Sequence, residues 1–319
     1  MSPRKLKTDQ KRLPKTRRAK NPPRSIITER DISLVRAVLE YRFVYTKHIL
    51  WLQPPKTSRQ NIQTRLRLLY HHGYLERVRL EESRGAENLV YSLTEKGAVL
   101  LAEADGVARE EIAWGRYMNK VSPTHIRHLL EINDALLSFQ LVLAEAQARR
   151  EIAEFKVKRG EPKKDRLPAM LRSADGRRVP VAIVPDAYIA IKFDARNYGV
   201  YFLEVDRATM STGRWQEKIQ VYREYNHSQH LREKFRAEWC IVLTMAPSDK
   251  RIASLAEKTV ALGGRRGFWF TTAEQITPAT AGGRIWVRAS DLFDTRNEAL
   301  VKLKDVNKAA RCGLADALQ

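Results

Sequence analysis

The sequence has few cysteines, comparatively few acidic residues and no long apolar run. Its 319 residues include only Cys240 and Cys312, too few for a disulfide framework or a zinc site. No stretch reaches the roughly 18 apolar residues that a membrane helix needs, and no apolar segment follows the basic N-terminus. Neither a membrane span nor a secretory signal is therefore predicted, and we expect a protein of the reducing cytoplasm with no membrane partner.

Positive charge is the most prominent feature of the composition. Lys and Arg number 58 against 37 Asp and Glu, which gives a net charge of +21, and residues 1–24 alone contribute +9. Such an excess favours a polyanionic partner, and nucleic acid is favoured over membrane because no long apolar face accompanies the basic residues. The length and the 43% hydrophobic content predict two domains with packed cores.

Composition and periodicity divide the chain into five segments. Residues 1–24 are basic and proline-containing and predict a disordered arm that contacts phosphates loosely. A domain of helices and a hairpin over 25–105, a linker over 106–122, an α/β domain over 123–294 and a polar, helical tail over 295–319 follow. Within the α/β domain, residues 158–180 are polar and basic and predict a long loop, and 181–192 predict one strand.

The pattern over residues 25–105 predicts three helices, a two-stranded hairpin and a fourth helix. The third helix covers 58–72 and ends at Gly73, and the strands are LERVRL at 75–80 and NLVYSL at 88–93. This order is similar to that of winged helix-turn-helix DNA-binding proteins. The resemblance implies that the third helix reads duplex DNA in the major groove.

The third predicted helix has two chemically distinct faces. Ile62, Leu66 and Leu69 recur at helical spacing and predict the buried face. The opposite face carries side chains that hydrogen-bond base edges and phosphates, namely Arg59, Gln60, Gln63, Thr64 and Arg67. The hairpin adds three arginines for flanking phosphates, namely Arg77, Arg79 and Arg84. The alternative is an ordinary amphipathic helix with a solvated polar face.

Acidic residues recur at element ends in the second predicted domain. Glu131 and Asp134 lie one turn apart on a long helix, Asp186 follows a proline in an apolar run, and Glu204 and Asp206 lie in the run YFLEVD. Because side chains alternate along a strand, Glu204 and Asp206 are expected on one face. Buried carboxylates need a cation, either a metal ion or a basic side chain.

The order of these elements resembles the PD-(D/E)xK nuclease superfamily, which implies a restriction-endonuclease-like α/β fold. The resemblance implies Asp186 and Glu204 as Mg²⁺ ligands, with Glu131 and Asp206 as further candidates. Asp206 occupies the position of the superfamily's lysine, and Lys218 on the following helix is the candidate substitute. An active site would use Asp186, Glu204 and Lys218 for metal-assisted phosphodiester hydrolysis. The alternative is a non-catalytic domain whose carboxylates pair with neighbouring arginines.

Four segments carry a resemblance over roughly residues 28–245 to the replication-relaxation family, namely HLLEIND, VPDAYIAI, YFLEVDRATM and KIQVYREY. The resemblance implies a bacterial DNA-binding protein of a plasmid or integrated mobile element, acting in its replication or transfer. Two alternatives stay open, a Mg²⁺-dependent nicking nuclease and a winged-helix transcriptional regulator. Double-stranded DNA is the expected partner, with a second copy of the chain or replication and transfer proteins as further candidates.

Overall fold

The computed structural model divides the chain into two compact units, residues 1–126 and residues 127–319. It describes residues 13–14, 17–80, 89–173, 175–294, 301–302, 306 and 310–314. None of the helices in these ranges is both long enough and apolar enough to cross a membrane. Both units combine helices with sheet, as the predicted mixed α and β class requires.

The first unit contains the predicted order of three helices, a hairpin and a fourth helix. Its elements are α1 (Glu29–Tyr41), β1 (Val44–Tyr45), α2 (Thr46–Trp51), α3 (Arg59–His71), β2 (Leu75–Arg79), β3 (Leu89–Leu93) and α4 (Glu95–Asp105). The strands form an antiparallel sheet in the order β1-β3-β2. The short strand β1 was not predicted, because two residues carry no readable alternation.

One buried carboxylate joins α1 to α3. Thr28 caps α1, and Asp31 closes the reciprocal capping box by accepting from the Thr28 backbone amide at 2.9 Å. Asp31 is 0% exposed, and its second oxygen accepts from Arg65 Nε of α3 at 2.8 Å. Burial alone would raise the pKa of Asp31, but the hydrogen bonds from Arg65 and Thr28 outweigh it and lower the pKa.

The segment predicted as a linker packs within the first unit. Asn119 donates to the Leu93 carbonyl at 2.7 Å, and Arg109 pairs with Glu95 at 2.7 Å. Residues 17–24 also differ from the expected disordered arm, because Arg18 donates to the carbonyls of Tyr70 and Leu75 at 2.9 and 2.8 Å. Most of the arm, residues 1–12 and 15–16, lies outside the described residues.

The second unit is built on a six-stranded mixed sheet. Its elements are α5 (Pro123–Ala148, which begins within the first unit), β4 (Glu154–Arg159), β5 (Leu167–Arg172), β6 (Arg178–Ile183), β7 (Ala187–Lys192), β8 (Tyr198–Val205), α6 (Thr212–Asn226), α7 (Gln229–Phe235), β9 (Cys240–Ala246), α8 (Asp249–Ala261), β10 (Phe268–Thr272), β11 (Val287–Arg288), β12 (Phe293–Asp294) and β13 (Val301–Lys302). The sheet order is β11-β10-β9-β8-β7-β4, with β8, β9 and β10 parallel. Helices α6 and α8 pack on its core through Trp215, Tyr222 and Ile252.

The central strand β8 is covered on both faces. Every residue from Gly199 to Val205 is buried, as is usual where helices and chain segments cover a parallel sheet on both sides. Phe202 faces the aromatic rings of Tyr222 and Tyr225 from α6. On the same strand, Tyr201 donates its hydroxyl to the Leu314 carbonyl at 2.6 Å. The strand that carries Glu204 therefore has no solvent-facing side.

Two predictions about irregular segments are wrong. The predicted loop over 158–180 and the start of the predicted strand over 181–192 instead form the separate hairpin β5-β6, which buries Leu167, Leu171 and Ile183. Prolines and arginines interrupt the apolar alternation there and hide the strands from a periodicity analysis. The polar tail was predicted to be helical. Among its described residues, however, the Cys312 backbone forms an isolated antiparallel β-bridge with Trp286, and Cys312 is buried.

The Asp31–Arg65 pair generates a prediction for the first unit. We expect Asp31→Ala to destabilise α1 and α3 by about 3 kcal/mol, the low end for breaking a buried pair, because the Arg65 side chain keeps 27% exposure. Because the pKa of Asp31 is lowered on folding, this contribution is present at neutral pH and is lost as the pH falls through that pKa. Native-state hydrogen exchange of the α1 and α3 amides measures it.

The matched control is Asp105→Ala, which removes the exposed partner of Arg36 in the same unit. We expect a much smaller effect, since solvent screens an exposed pair. Equal losses of protection in the two variants, or a difference that does not change with pH, would contradict the role given to Asp31.

Candidate functional site

The backbone holds Asp186 at one end of the sheet, between β6 and β7. Its amide donates to the Leu203 carbonyl at 3.1 Å, and its carbonyl accepts from the Gly160 amide at 3.0 Å. A Cβ at Gly160 would lie 1.9 Å from the Pro185 carbonyl oxygen, so only glycine permits this close approach. Asp186 is thereby fixed beside the end of β8, close to Glu204.

The Asp186 carboxylate is bound on both oxygens. One accepts from the Val205 amide at 2.8 Å, and the other lies 3.1 Å from His128 Nε2 on α5. Burial alone would lower the pKa of His128, but the hydrogen bond to Asp186 and the nearby carboxylates outweigh it and raise the pKa. Burial alone would raise the pKa of Asp186, but the hydrogen bond and the charge of His128 help to outweigh burial, and the pKa is lowered. Each partner therefore favours the charged form of the other, as expected of an ion pair.

Glu204 is the most deeply buried of the four carboxylates that were predicted as metal ligands. It is 0% exposed in β8, and α6 supplies both of its partners. Lys218 Nζ contacts one carboxylate oxygen, and the Tyr222 hydroxyl donates to the other at 2.5 Å. Lys218 and Tyr222 lie four residues apart, so one turn of α6 presents both groups to the strand.

Burial dominates the electrostatics of this group. It raises the pKa of Glu204, and the neighbouring charge of Asp186 acts in the same direction against Lys218. Burial opposes the charged form of Lys218, but Glu204 and Asp186 outweigh it and raise the pKa of Lys218. The predicted set of Asp186, Glu204 and Lys218 is thus brought within mutual electrostatic range.

The other two predicted ligands are held by arginines. Glu131 of α5 pairs with Arg207 at 3.1 Å. Asp206 lies just beyond β8 and accepts two bonds from Arg251 of α8, at 2.6 and 3.0 Å. Glu204 is thus held from α6 and Asp206 from α8, two helices that pack on the same core.

These pairings leave no suitable site for Mg²⁺. Each of the four carboxylates has its own basic partner, and both oxygens of Glu204 are occupied by protein donors. In the described part of the chain, no three His, Cys, Asp or Glu side chains are grouped so that they could hold a metal ion. A Mg²⁺ ion would have to displace the basic partners of these carboxylates, so the residues present do not fit it.

The predicted DNA-contacting residues of α3 lie on the side away from its core. Ile62, Leu66 and Leu69 are buried as predicted. The polar positions are exposed or half-buried, namely Arg59, Gln60, Gln63, Thr64 and Arg67. On β2, Arg79 is exposed and the Arg77 guanidinium lies 4.0 Å from the centre of the Tyr70 ring. Arg84 lies outside the described residues.

Several residues of the charge network escaped the sequence prediction. His128, Tyr222 and Arg251 each hold a carboxylate, yet none was predicted as a site residue. The spacing of His128 and Glu131, three residues apart on a helix, was a usable signal for a shared face. Arg251 gave no such signal, because it lies 45 residues from Asp206 in the sequence.

Together the fold and the site define a two-unit mixed α and β protein with a buried network of paired charges. A family model described as replication-relaxation matches residues 35–237. The match covers more than half of the chain, and the chain belongs to the replication-relaxation family. Membership indicates a role in the replication or relaxation of plasmid or mobile-element DNA. No curated protein matches the chain.

The buried pair of Glu204 and Lys218 generates a prediction for the second unit. We expect Lys218→Met to destabilise it by about 3–5 kcal/mol, because a buried carboxylate is left without its counter-charge. The double variant Glu204→Gln/Lys218→Met should recover at least half of this loss, since neither charge then needs compensation. Urea unfolding of the single and double variants measures the coupling as a double-mutant cycle.

Strictly additive losses in that cycle would show that the two groups do not stabilise each other. Lys192→Met is the matched control, because Lys192 pairs with the exposed Glu154 at the sheet edge. We expect little change in stability from this control.

Proposed function

We propose that this protein binds duplex DNA through α3 and the β2-β3 hairpin of its first unit. The observation that carries the proposal is the outer face of α3, which combines Arg, Gln and Thr side chains directly opposite a fully buried apolar face. The sequence of α3, RQNIQTRLRLLYH, contains no acidic residue. Such a face offers donors and acceptors for base edges and positive charge for phosphates.

The fold supports this reading of α3. Three helices followed by an antiparallel hairpin resemble a winged helix, in which the third helix enters the major groove. The Asp31–Arg65 pair orients α3 on α1 and occupies the one α3 arginine that faces inward. Arg59 and Arg67 lie on the exposed side, so their charges act outside the core.

Basic side chains cluster at the C-terminal end of α3, where Arg18, which pairs with Glu76, and Arg77 both lie over the Tyr70 ring. His71 is buried there, and its pKa is lowered first by burial and then by the charges of Arg77, Arg67 and Arg18. Three arginines thus converge around one helix end, beside the hairpin. This arrangement suits contact with phosphates that flank a groove-bound helix.

The experiment compares two double variants of the full chain on a fluorescent duplex of about 30 base pairs. Arg59→Ala/Arg67→Ala removes two charges from the α3 face, and the control Arg116→Ala/Lys120→Ala removes two exposed charges elsewhere in the first unit. We expect wild-type affinity to fall steeply with salt, and the α3 variant to lower the slope of log K against log salt by about 2, at roughly 0.9 per phosphate contact. The control should keep the wild-type slope. A flat salt dependence, or equal effects of the two variants, would overturn the proposal.

Selection from a random duplex library tests whether α3 reads bases. We expect Gln63→Ala to lose discrimination at one base pair by about 10- to 100-fold, the value of one good base contact, while the other positions of the selected site stay unchanged. Loss of affinity without loss of discrimination would limit Gln63 to a backbone contact.

The Mg²⁺-dependent nuclease alternative makes a different prediction. Because the Glu204 oxygens are occupied by Lys218 and Tyr222, we expect wild-type protein to nick supercoiled plasmid no faster with Mg²⁺ or Mn²⁺ than the Glu204→Gln and Asp186→Asn variants do. Gel separation of nicked and supercoiled plasmid measures this. Metal-dependent nicking by the wild type that both variants abolish would establish the alternative.

A further inference from the structure

The hairpin β5-β6 and helix α6 enclose a cavity of about 490 Å³ on the second unit. Arg172 and Arg178 line it from the hairpin, Arg223 and Glu224 line it from α6, and His227 lines it from the C-cap of that helix. Three arginines against one glutamate give this wall a positive excess. The cavity lies apart from the paired carboxylates, since it shares no lining residue with them.

The two hairpin arginines oppose each other directly. Arg172 and Arg178 are register partners in the antiparallel pair, the position at which like charges repel most strongly. Both are exposed, and within the described ranges neither forms an ion pair with a carboxylate. Arg223 is also without a carboxylate there, and its guanidinium donates to the Leu262 carbonyl. The wall thus bears cationic donors that no described acidic side chain neutralises.

Several other cations of the unit are neutralised by an acidic side chain. Lys218, Arg207 and Arg251 each have a carboxylate partner, as do Lys192 and Lys234 near the smaller cavity beside β7. An unneutralised cross-strand pair costs stability unless an anion lies between the two guanidinium groups. The planar guanidinium of arginine is also well suited to donate two hydrogen bonds to the oxygens of one phosphate.

We propose that this cavity binds a phosphate of the DNA backbone and that the hairpin β5-β6 is a second DNA contact. Met170 lines the same cavity and keeps 41% exposure, and it supplies apolar surface for the sugar edge. The choice of duplex DNA rests on the proposed function, whereas the preference for a phosphodiester anion rests on the arginines alone. The contact is independent of sequence, because it reaches the backbone and not the base edges.

The test uses full-length Arg172→Gln/Arg178→Gln with Arg196→Gln/Arg265→Gln as the charge-matched control, whose arginines are exposed on the same unit outside the cavity. On the 30-base-pair duplex we expect the hairpin variant to lower the salt slope by about 2, and the control to leave it near the wild-type value. Arg172→Lys/Arg178→Lys should keep most of the slope, because it keeps the charge. Thermal melting of each variant verifies folding. A wild-type slope in the hairpin variant, or equal slopes in the hairpin and control variants, would overturn the proposal.

Two further measurements distinguish this proposal from the α3 proposal and from binding of a small anion. Added duplex should protect the β5-β6 amides from hydrogen exchange, even in Arg59→Ala/Arg67→Ala, so failure of the α3 proposal would leave this result intact. Titration with inorganic phosphate distinguishes the source of the anion. Protection by free phosphate without protection by duplex would show a small-anion site and overturn the assignment to DNA.

Discussion

A carboxylate in the middle of a fully buried strand is the constraint on which the second unit depends. Glu204 lies in β8 with no exposed surface, where an uncompensated charge would cost several kcal/mol. Lys218 and Tyr222 supply the compensation from a single turn of α6. The rotation of α6 about its axis is therefore set by charge, and the same rotation carries Trp215 into the apolar core.

The same constraint extends along the end of the sheet. Asp186 lies beside Glu204 because its backbone pairs with β8, and two neighbouring carboxylates would repel each other. His128 from α5 offsets the charge of Asp186 on one side, and Lys218 acts on both carboxylates from the other. Helices on different parts of the chain are thereby tied to one sheet end. A network of this kind favours one arrangement of helices over others, since any shift would leave a charge unpaired.

The features that could be predicted are those that local sequence patterns encode. Ile62, Leu66 and Leu69 define the buried side of α3 by their spacing alone, and its polar face follows from the same periodicity. Glu204 and Lys218 were predicted to share a site through the resemblance to the nuclease superfamily, and the structure places them in contact. Partner choice over long distances was not readable. Asp206 could have paired with the adjacent Arg207, but that arginine holds Glu131 and Asp206 is held by Arg251.

The hairpin β5-β6 shows a second physical limit of predicting structure from sequence patterns. Its exposed face carries prolines and arginines, so its polar composition resembles that of a loop although Leu167 and Leu171 are buried. Four carboxylates at the sheet end pair with basic side chains, whereas Arg172 and Arg178 of the hairpin form no ion pair with a described carboxylate. On our proposals the α3 face and the hairpin are the two places where positive charge is left to contact DNA. Our proposals therefore predict binding without hydrolysis, because the acids that hydrolysis would need pair with the protein's own basic side chains.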